Sequence, residues 1–414
     1  MQPNDIFALG LGLTPPWKLI DQRLDMDKTP HELHLRIEAD RGSRYPCPEC
    51  GTMCKAHDFK ELTWRHLNFF QHHCYLTAPV PRINCPDHGI KRIKVPWARK
   101  GSQFTLLFEQ AAMTIVREMP VLAAARIMEI TDQRLWRIVN FYVQQSMRDI
   151  DLTSLEAFGL DETASKRGHN YVTVFIDLER STKPVIFATP GKGKATVHEF
   201  RKFLEKHGGD ANNIVEVVCD MSKAFLVAAE ETFPLSYATV DWFHVVQLFT
   251  KAIDEVRRAE SKEHSLPMAT RWAVLKASDK GLTESQIDAI VELEVADLCT
   301  AKAWRIREML RWVNRAESLR AAKWRMGYFI NYAKDLVEQN SILNPVAKAL
   351  ETLAEHKQRI LRRWRSSYTN ARLEGLNSLF QAARSRARGY RNTDNFITMI
   401  YLIAAPLGKI VKST

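Results

Sequence analysis

The sequence predicts a multidomain α/β protein: a mixed sheet followed by a long helical stretch, and ahead of both a cysteine-rich module and a run of three helices. Three observations predict it. Paired cysteines crowd the first quarter of the chain. Apolar residues recur with a helical period over residues 103 to 148. From about Leu155 to Asp241 strand-like and helix-like segments alternate, after which everything reads as helix.

Residues 1 to 44 contain one alternating run, HELHLRIEA, whose period of two marks a strand. Within residues 45 to 98, Cys47-Pro-Glu-Cys50 and Cys85-Pro-Asp-His88 give two pairs at the spacing with which a short loop presents two ligands to one tetrahedral ion. Gly51 and Gly89 follow the pairs, where a knuckle turn needs a permissive residue. Thiolate and imidazole suit zinc. Cys47, Cys50, Cys85 and His88 are therefore the expected ligands of one Zn²⁺, on two hairpins because 34 residues separate the pairs. Four protein ligands leave no open position, so the site is structural. The competing reading is four unrelated surface residues. Cys54 and Cys74 are possible substitutes, but neither has a partner at knuckle spacing. Seven cysteines, an odd number clustered toward this module, fit a metal site in a reducing compartment better than a disulfide framework.

Residues 99 to 150 read as three helices: FEQAAMTIVREM, then VLAAARIMEI after Pro120, then TDQRLWRIVNFYV with Thr131 as N-cap. A helix, a short turn and a second amphipathic helix bearing Gln133, Arg134 and Arg137 is how helix-turn-helix proteins address the major groove. A plain helical bundle with a solvated basic face is the alternative. The formal charge of +11 favours a polyanionic partner. No signal peptide is expected, and the longest apolar stretch, Phe396 to Leu407, is shorter than the ~20 residues of a spanning helix. No membrane partner is therefore expected.

Three strands, EAFGLDET, NYVTVFIDLE and KPVIFATP, are joined by polar turns. Helix TVHEFRKFLEKHG, closed by Gly208 and Gly209, strand NIVEVVCD, helix SKAFLVAAEETF and strand LSYATVD complete a mixed sheet. Asp161 lies in the first strand and Asp220 at the end of the fourth. If those strands are neighbours, both carboxylates project to one edge of the core. With a third from a packed helix they could bind two divalent ions about 3.5–4 Å apart. Mg²⁺ (or Mn²⁺) takes oxygen ligands. The third acid stands out by composition. From Lys357 to Arg391 there are ten Lys and Arg residues and one acid, Glu374. Asn370, Leu373, Glu374 and Asn377 share one helical face. So basic a setting is expected to favour the charged form of Glu374, with Arg384, Arg386, Arg388 and Arg391 gripping DNA phosphates. The bland reading of Glu374 alone is an intrahelical ion pair.

These blocks resemble, end to end, the ISL3 group of bacterial insertion-sequence transposases, DDE enzymes with an RNase H-like core. CPEC and CPDH look like that family's zinc module, and VLAAARIMEITDQRLWRIV like its helix-turn-helix. GLDE, VVCDMS, VDWFHVVQ and TNARLEGLNSLFQAARSRARGY look like its core blocks. The resemblance implies Asp161, Asp220 and Glu374 as the catalytic triad. It makes Asp241 and His244 the accessory Asp-x-x-His pair of related transposases. His88 departs from the pattern, standing where the family usually has a fourth cysteine.

Asp220 and Glu374 are 154 positions apart, too far for a compact RNase H-like fold, so an all-helical insertion is implied. The expected domains are 1–98 (zinc module), 99–150 (helix-turn-helix), 151–250 with 361–405 (catalytic core) and 251–360 (insertion). Trp272, Trp304, Trp312 and Trp324 are expected in the insertion's core. Arg305, Arg307, Arg311 and Arg315 are expected on a solvated or DNA-facing surface. The implied function is binding of the terminal inverted repeats, cleavage and strand transfer, by a homodimer or larger assembly on double-stranded element ends and target DNA. The expected location is the bacterial cytoplasm, at the nucleoid. The rival is a non-catalytic DNA-binding regulator derived from a transposase. A tyrosine recombinase, suggested by His356, Arg359 and Tyr390, leaves Asp161 and Asp220 unexplained.

Overall fold

The computed structural model describes residues 7–8, 10–166, 168, 170–276, 281–366 and 368–408. They divide into two compact units. One holds the residues up to Ser146 together with Leu407 and Gly408, the other Met147–Pro406.

The first unit opens with a six-stranded sheet of β1 (Trp17–Asp25), β2 (Glu32–Ala39), β3 (Arg44–Pro46), β4 (Met53–Phe69), β5 (His72–Cys85) and β6 (Gly89–Arg92). Its order is β1-β2-β5-β4-β3, with β6 paired to β5. β2 is the strand expected from HELHLRIEA, and Leu33, Leu35 and Ile37 bury one face of it. The long β4–β5 hairpin has no counterpart in the sequence reading, because Pro79 and Pro81 interrupt β5. A strand proline lacks the N–H that a neighbour would accept. Here β2 pairs β5 only as far as Thr77 and β6 pairs it only from Arg82 on, so neither proline has to donate to a neighbouring strand on that side. Three helices follow, α1 (Leu106–Glu118), α2 (Val121–Ile127) and α3 (Asp132–Arg148). Thr105 caps α1 through Phe108 N at 3.3 Å, and Thr131 accepts from Arg134 N at 3.4 Å. The buried Glu109 ties the bundle by accepting from Arg99, Ser102 and Tyr142.

The second unit is built on β7 (Ala157–Lys166), β8 (Asn170–Asp177), β9 (Val185–Pro190), α4 (Lys194–Lys206), β10 (Glu216–Cys219), α5 (Lys223–Thr232) and β11 (Tyr237–Val240). The sheet order is β11-β10-β7-β8-β9. β7, β8 and β9 are antiparallel, and β10 and β11 run parallel to β7. This is an RNase H-like mixed sheet. Phe158 and Phe175 of the sheet pack on Phe200 of α4, with ring centroids 4.8 and 4.5 Å away.

Between the last strand and the Glu374 helix come α6 (Trp242–Glu260), α7 (Thr270–Leu275), α8 (Glu284–Val295), α9 (Cys299–Asn314), α10 (Leu319–Val337), α11 (Asn344–Glu355) and α12 (Lys357–Leu361). The chain then returns through α13 (Ala371–Arg386) and α14 (Thr393–Ala404). One contiguous apolar core runs from Leu152 to Leu361, so the helical segment shares the core of the sheet. Thr283 and Gln286 form a capping box at α8. The buried Glu260 accepts from Cys299 N at 2.6 Å and Thr300 N at 2.8 Å, answering the free amides at the start of α9. Two expectations fail here. Trp304 and Trp312 are half-buried, but Trp272 and Trp324 are exposed, because they sit on the outer sides of their helices. Arg307 is buried and donates to Val274 O at 2.6 Å and Lys276 O at 2.9 Å, which makes it a joint between α9 and α7 and no surface residue. Among the described residues no helix is long and apolar enough to cross a membrane.

Candidate functional site

The two cysteine pairs converge. Cys50 Sγ lies 3.6 Å from Cys85 Sγ, and His88 Nδ1 lies 3.6 Å from Cys85 Sγ and 3.9 Å from Cys47 Sγ. All four ligand atoms fall within 4.8 Å of one another. A tetrahedron with zinc–sulfur and zinc–nitrogen bonds of ~2.0–2.3 Å has edges of about 3.5–3.8 Å, so the set fits zinc. Gly51 and Gly89 take φ of 76° and 64° after their pairs, a region that favours glycine. Hydrogen bonds to Thr52 hold the Cys50 thiol down at about 6, while burial pushes Cys85 up to about 11. Sequence reading missed Glu49, whose carboxylate stands 3.6 Å from His88 Nε2, the ring nitrogen turned away from the cluster. A carboxylate there orients a metal-bound imidazole. Cys54 and Cys74 lie outside the set, Cys54 donating to Thr52 O and Cys74 buried in the sheet core.

On α3, Leu135, Ile138 and Val139 are buried while Gln133, Arg134 and Arg137 are exposed. Arg134 is engaged: its guanidinium donates to Gln103 Oε1 at 2.6 Å and covers the Phe104 ring. The turn before α3 has Glu129 at φ 53°, held by His73 Nε2 at 2.6 Å and Asn68 Nδ2 at 3.3 Å. No glycine marked that turn.

In the second unit strand register brings three aspartates abreast. Val218 of β10 pairs with Gly159 of β7 and with Thr239 of β11. Asp220 and Asp241 directly follow β10 and β11, and the register carried past the strand ends sets both beside Asp161, whose carboxyl senses their charges. All three then share the sheet face of Gly159, Val218 and Thr239, since side chains alternate with a period of two. Asp161 accepts from Glu162 N at 2.8 Å and from Asn377 Nδ2 at 2.8 Å, and Asp220 accepts from Ser222 N at 2.9 Å.

α13 closes this face. Asn370 is buried at its start and donates to Leu160 O at 3.1 Å. Gln381 donates to Thr163 Oγ1 at 2.7 Å, and Arg384 to Ala164 O at 2.7 Å. Gly159 makes the approach possible, because a Cβ there would stand 2.1 Å from Asn370 Oδ1. Glu374 thereby reaches Asp241. The basic segment does not lower its pKa, contrary to expectation. Burial, a hydrogen bond to Asp241 and the charges of Asp241 and Asp161 push Glu374 up to about 8. The arginines of the helix turn elsewhere: Arg372 donates to Arg180 O at 2.7 Å, and Arg384 to β7. Burial and the charges of Asp220 and Asp241 likewise raise Asp161, against the Glu162 amide and His244, which lower it. Glu162, quoted in GLDE but given no role, is lifted to about 7 by burial and by Asp220.

Five buried atoms of this cluster have no hydrogen-bond partner: Asp241 Oδ2, Glu374 Oε1, Asn370 Oδ1, Asn377 Oδ1 and His244 Nε2. Four are oxygens. Burying such oxygens unpaired is costly, and hard divalent cations take oxygen ligands. The donor set fits Mg²⁺ or Mn²⁺. Among the described residues only the Cys/His group draws its ligand atoms within 4.8 Å. Asp241 and Glu374 also border a cleft of about 740 Å³ whose other walls include Trp242, Phe243, Lys276 and Arg311. Arg386, Arg388 and Arg391, beyond the part of α13 that docks on β7, are exposed.

Comparison with known proteins matches the chain module by module. A family model described as a transposase of the ISL3 type matches residues 158–400. The helix-turn-helix domain of transposase family ISL3 matches residues 93–143, and the zinc-finger of transposases IS204/IS1001/IS1096/IS1165 matches residues 43–88. The transposase for insertion sequence element IS1001 of Bordetella parapertussis is 26% identical over 368 residues, covering 86% of this chain and 87% of that protein. The transposase for IS1557 of Mycobacterium tuberculosis is 30% identical over 220 residues, 51% of this chain and 48% of that one. With zinc-finger, helix-turn-helix and transposase matches in order along its length, the chain belongs to the ISL3 family of transposases.

Proposed function

We propose that this transposase binds the terminal inverted repeats of its insertion sequence, cuts DNA at the element ends and joins the freed 3′-hydroxyl to target DNA, with Asp161, Asp220 and Glu374 as the catalytic carboxylates. The observation that carries the reading is the alignment of Asp161 with Asp220 across neighbouring strands, with Glu374 brought over them by α13. Bound there, two Mg²⁺ or Mn²⁺ ions would activate water and stabilise the attacking and leaving oxygens of an in-line phosphoryl transfer. The protein's part is placement. Glu162 N and Asn377 Nδ2 fix Asp161, Ser222 N fixes Asp220, and Asn370 anchors the start of the helix that carries Glu374. Cleavage and joining are the same reaction with different nucleophiles, so one site serves both. The chain carries one such triad and an element has two ends, which supports action as a homodimer or larger assembly. Double-stranded DNA as substrate puts the reaction at the nucleoid, in the cytoplasm.

The test is nicking of inverted-repeat duplexes by the purified protein with Mg²⁺. Asp161→Ala, Asp220→Ala and Glu374→Ala should each lower cleavage by about 10³-fold or more, several kcal/mol of transition-state stabilisation, with end binding largely intact. Near-normal cleavage by any one of them removes that residue from the triad. Absence of nicking by the unaltered protein, with binding retained, would favour a DNA-binding regulator.

A further inference from the structure

We propose that Asp241 is itself a ligand of the divalent metal, a fourth carboxylate acting beside Glu374. The proposal rests on the reading of the acidic row as a metal site, and goes beyond it by giving Asp241 a direct bond to the ion.

Three observations carry it. The first is register: β11 continues the parallel ladder one strand past β10, and Asp241 N donates to Cys219 O at 3.0 Å, so Asp241 stands beside Asp220 as Asp220 stands beside Asp161. Neighbouring strands lie ~4.8 Å apart. The second is an unused cap. Asp241 is the N-cap of α6, where an aspartate ordinarily accepts from the second or third amide of the helix. Here no side-chain cap bond forms. The carboxylate is left to face the acidic row, close enough to Glu374 to raise its pKa. The third is burial without a partner. Asp241 is 8% exposed, and its Oδ2 is buried with no hydrogen-bond donor. Glu374 Oε1 is in the same condition. Arg363 lies close enough to sense the charge of Asp241, but its guanidinium donates to Asn314 and makes no ion pair with the aspartate among the described residues. Asp241 is buried and Glu374 half-buried, each has a buried oxygen without a partner, and an ion coordinated by both would satisfy the two oxygens. Asp241 and Glu374 also both border the 740 Å³ cleft, whereas Asp161 and Asp220 do not line it. The ion they share would be the one nearer the cleft.

The experiment measures Mn²⁺ binding to the full-length zinc-loaded protein, by titration calorimetry and by the paramagnetic resonance of free Mn²⁺, for the unaltered chain, Asp241→Asn, Asp241→Ser and Asp161→Asn. Asn and Ser are good N-caps, so both substitutions preserve a merely structural role. The expected result is two Mn²⁺ per chain for the unaltered protein. Both Asp241 variants should weaken one of the two sites by more than the roughly 10–100-fold that loss of an outer-shell partner costs. In the absence of Mn²⁺, Asp241→Asn should melt at a higher temperature than the unaltered protein, because it removes one of several crowded negative charges. Unchanged Mn²⁺ affinity in both Asp241 variants, with Asp161→Asn impaired, overturns the assignment of Asp241 and leaves the metal site standing. Unchanged affinity in all three, or no Mn²⁺ bound by the unaltered chain, overturns the metal site together with it.

Discussion

Gly159 decides how closely α13 can approach the sheet. A methyl group at that position would meet Asn370 Oδ1 at 2.1 Å and the Leu178 side chain at 3.2 Å. Asn370 is buried and bonded to Leu160 O, so it has nowhere to retreat without withdrawing the start of the helix that presents Glu374. Gly159→Ala is therefore expected to cost about 1–3 kcal/mol of stability, the usual range for overpacking, and to reduce end cleavage sharply. The double change Gly159→Ala with Asn370→Ala should regain most of the melting temperature without regaining cleavage. A fully stable and active Gly159→Ala would show that the close approach does not matter. The residue scale also divides what the sequence reveals from what it conceals. Glu374 stands out in the sequence because it is the one acid in a basic segment. Its charge state does not, since the arginines near it in sequence are directed to Arg180 O and Ala164 O. Gly159 meets a residue 211 positions away, and no local pattern encodes such a meeting.

At the scale of elements, the strands and helices of the second unit were legible almost one for one, because buried parallel strands and amphipathic helices carry strong periods. The first unit was harder to read. β4 and β5 have 17 and 14 residues, and their length, bulges and prolines break the alternation that marks a strand. The zinc ligands were legible through spacing alone, while Glu49 behind His88 was not. The first unit's sheet also rests on few apolar side chains at its ligand end, where Cys47 and Cys85 are the buried residues beside Tyr45 and Ile83. Binding energy at such a site is folding energy. Chelation, or Cys85→Ser, should therefore loosen the strands around Cys47 and Cys85 and weaken recognition of the element ends. Metal analysis of the pure protein should find about one zinc per chain. Proteolysis of the zinc-free protein should cut first between Arg44 and Arg92. A zinc content near zero with end binding intact would contradict this account.

Over the whole molecule, the order of modules was legible, but the shared core of sheet and helical segment was not, because it joins residues as far apart as Leu152 and Leu361. The net charge of +11 has to be assigned to surfaces before it says anything about specificity. Two surfaces differ in kind. Gln133 and Arg137 are exposed on one helix and, among the described residues, have no side-chain partner. Arg386, Arg388 and Arg391 form an exposed cluster in the other unit, where α13 gives way to a turn. Arg384, grouped with them by sequence, donates to Ala164 O, and Arg134 donates to Gln103. Bonds to phosphate position a protein without reading sequence, and each phosphate left unneutralised lowers the slope of log affinity against log salt by about 0.9. Replacing Arg386, Arg388 and Arg391 by Gln should therefore weaken element-end and random DNA alike and flatten the salt slope by about 2 to 3. Replacing Gln133 and Arg137 by Ala should leave random DNA nearly unchanged and lower the preference for the ends, by about 1–3 kcal/mol for each base no longer read. Affinities of both variants for end and random duplexes at several salt concentrations decide the matter. If the two variants behaved alike, reading and gripping would not be divided between these surfaces, and the exposed face of α3 would be one more patch of phosphate-binding charge.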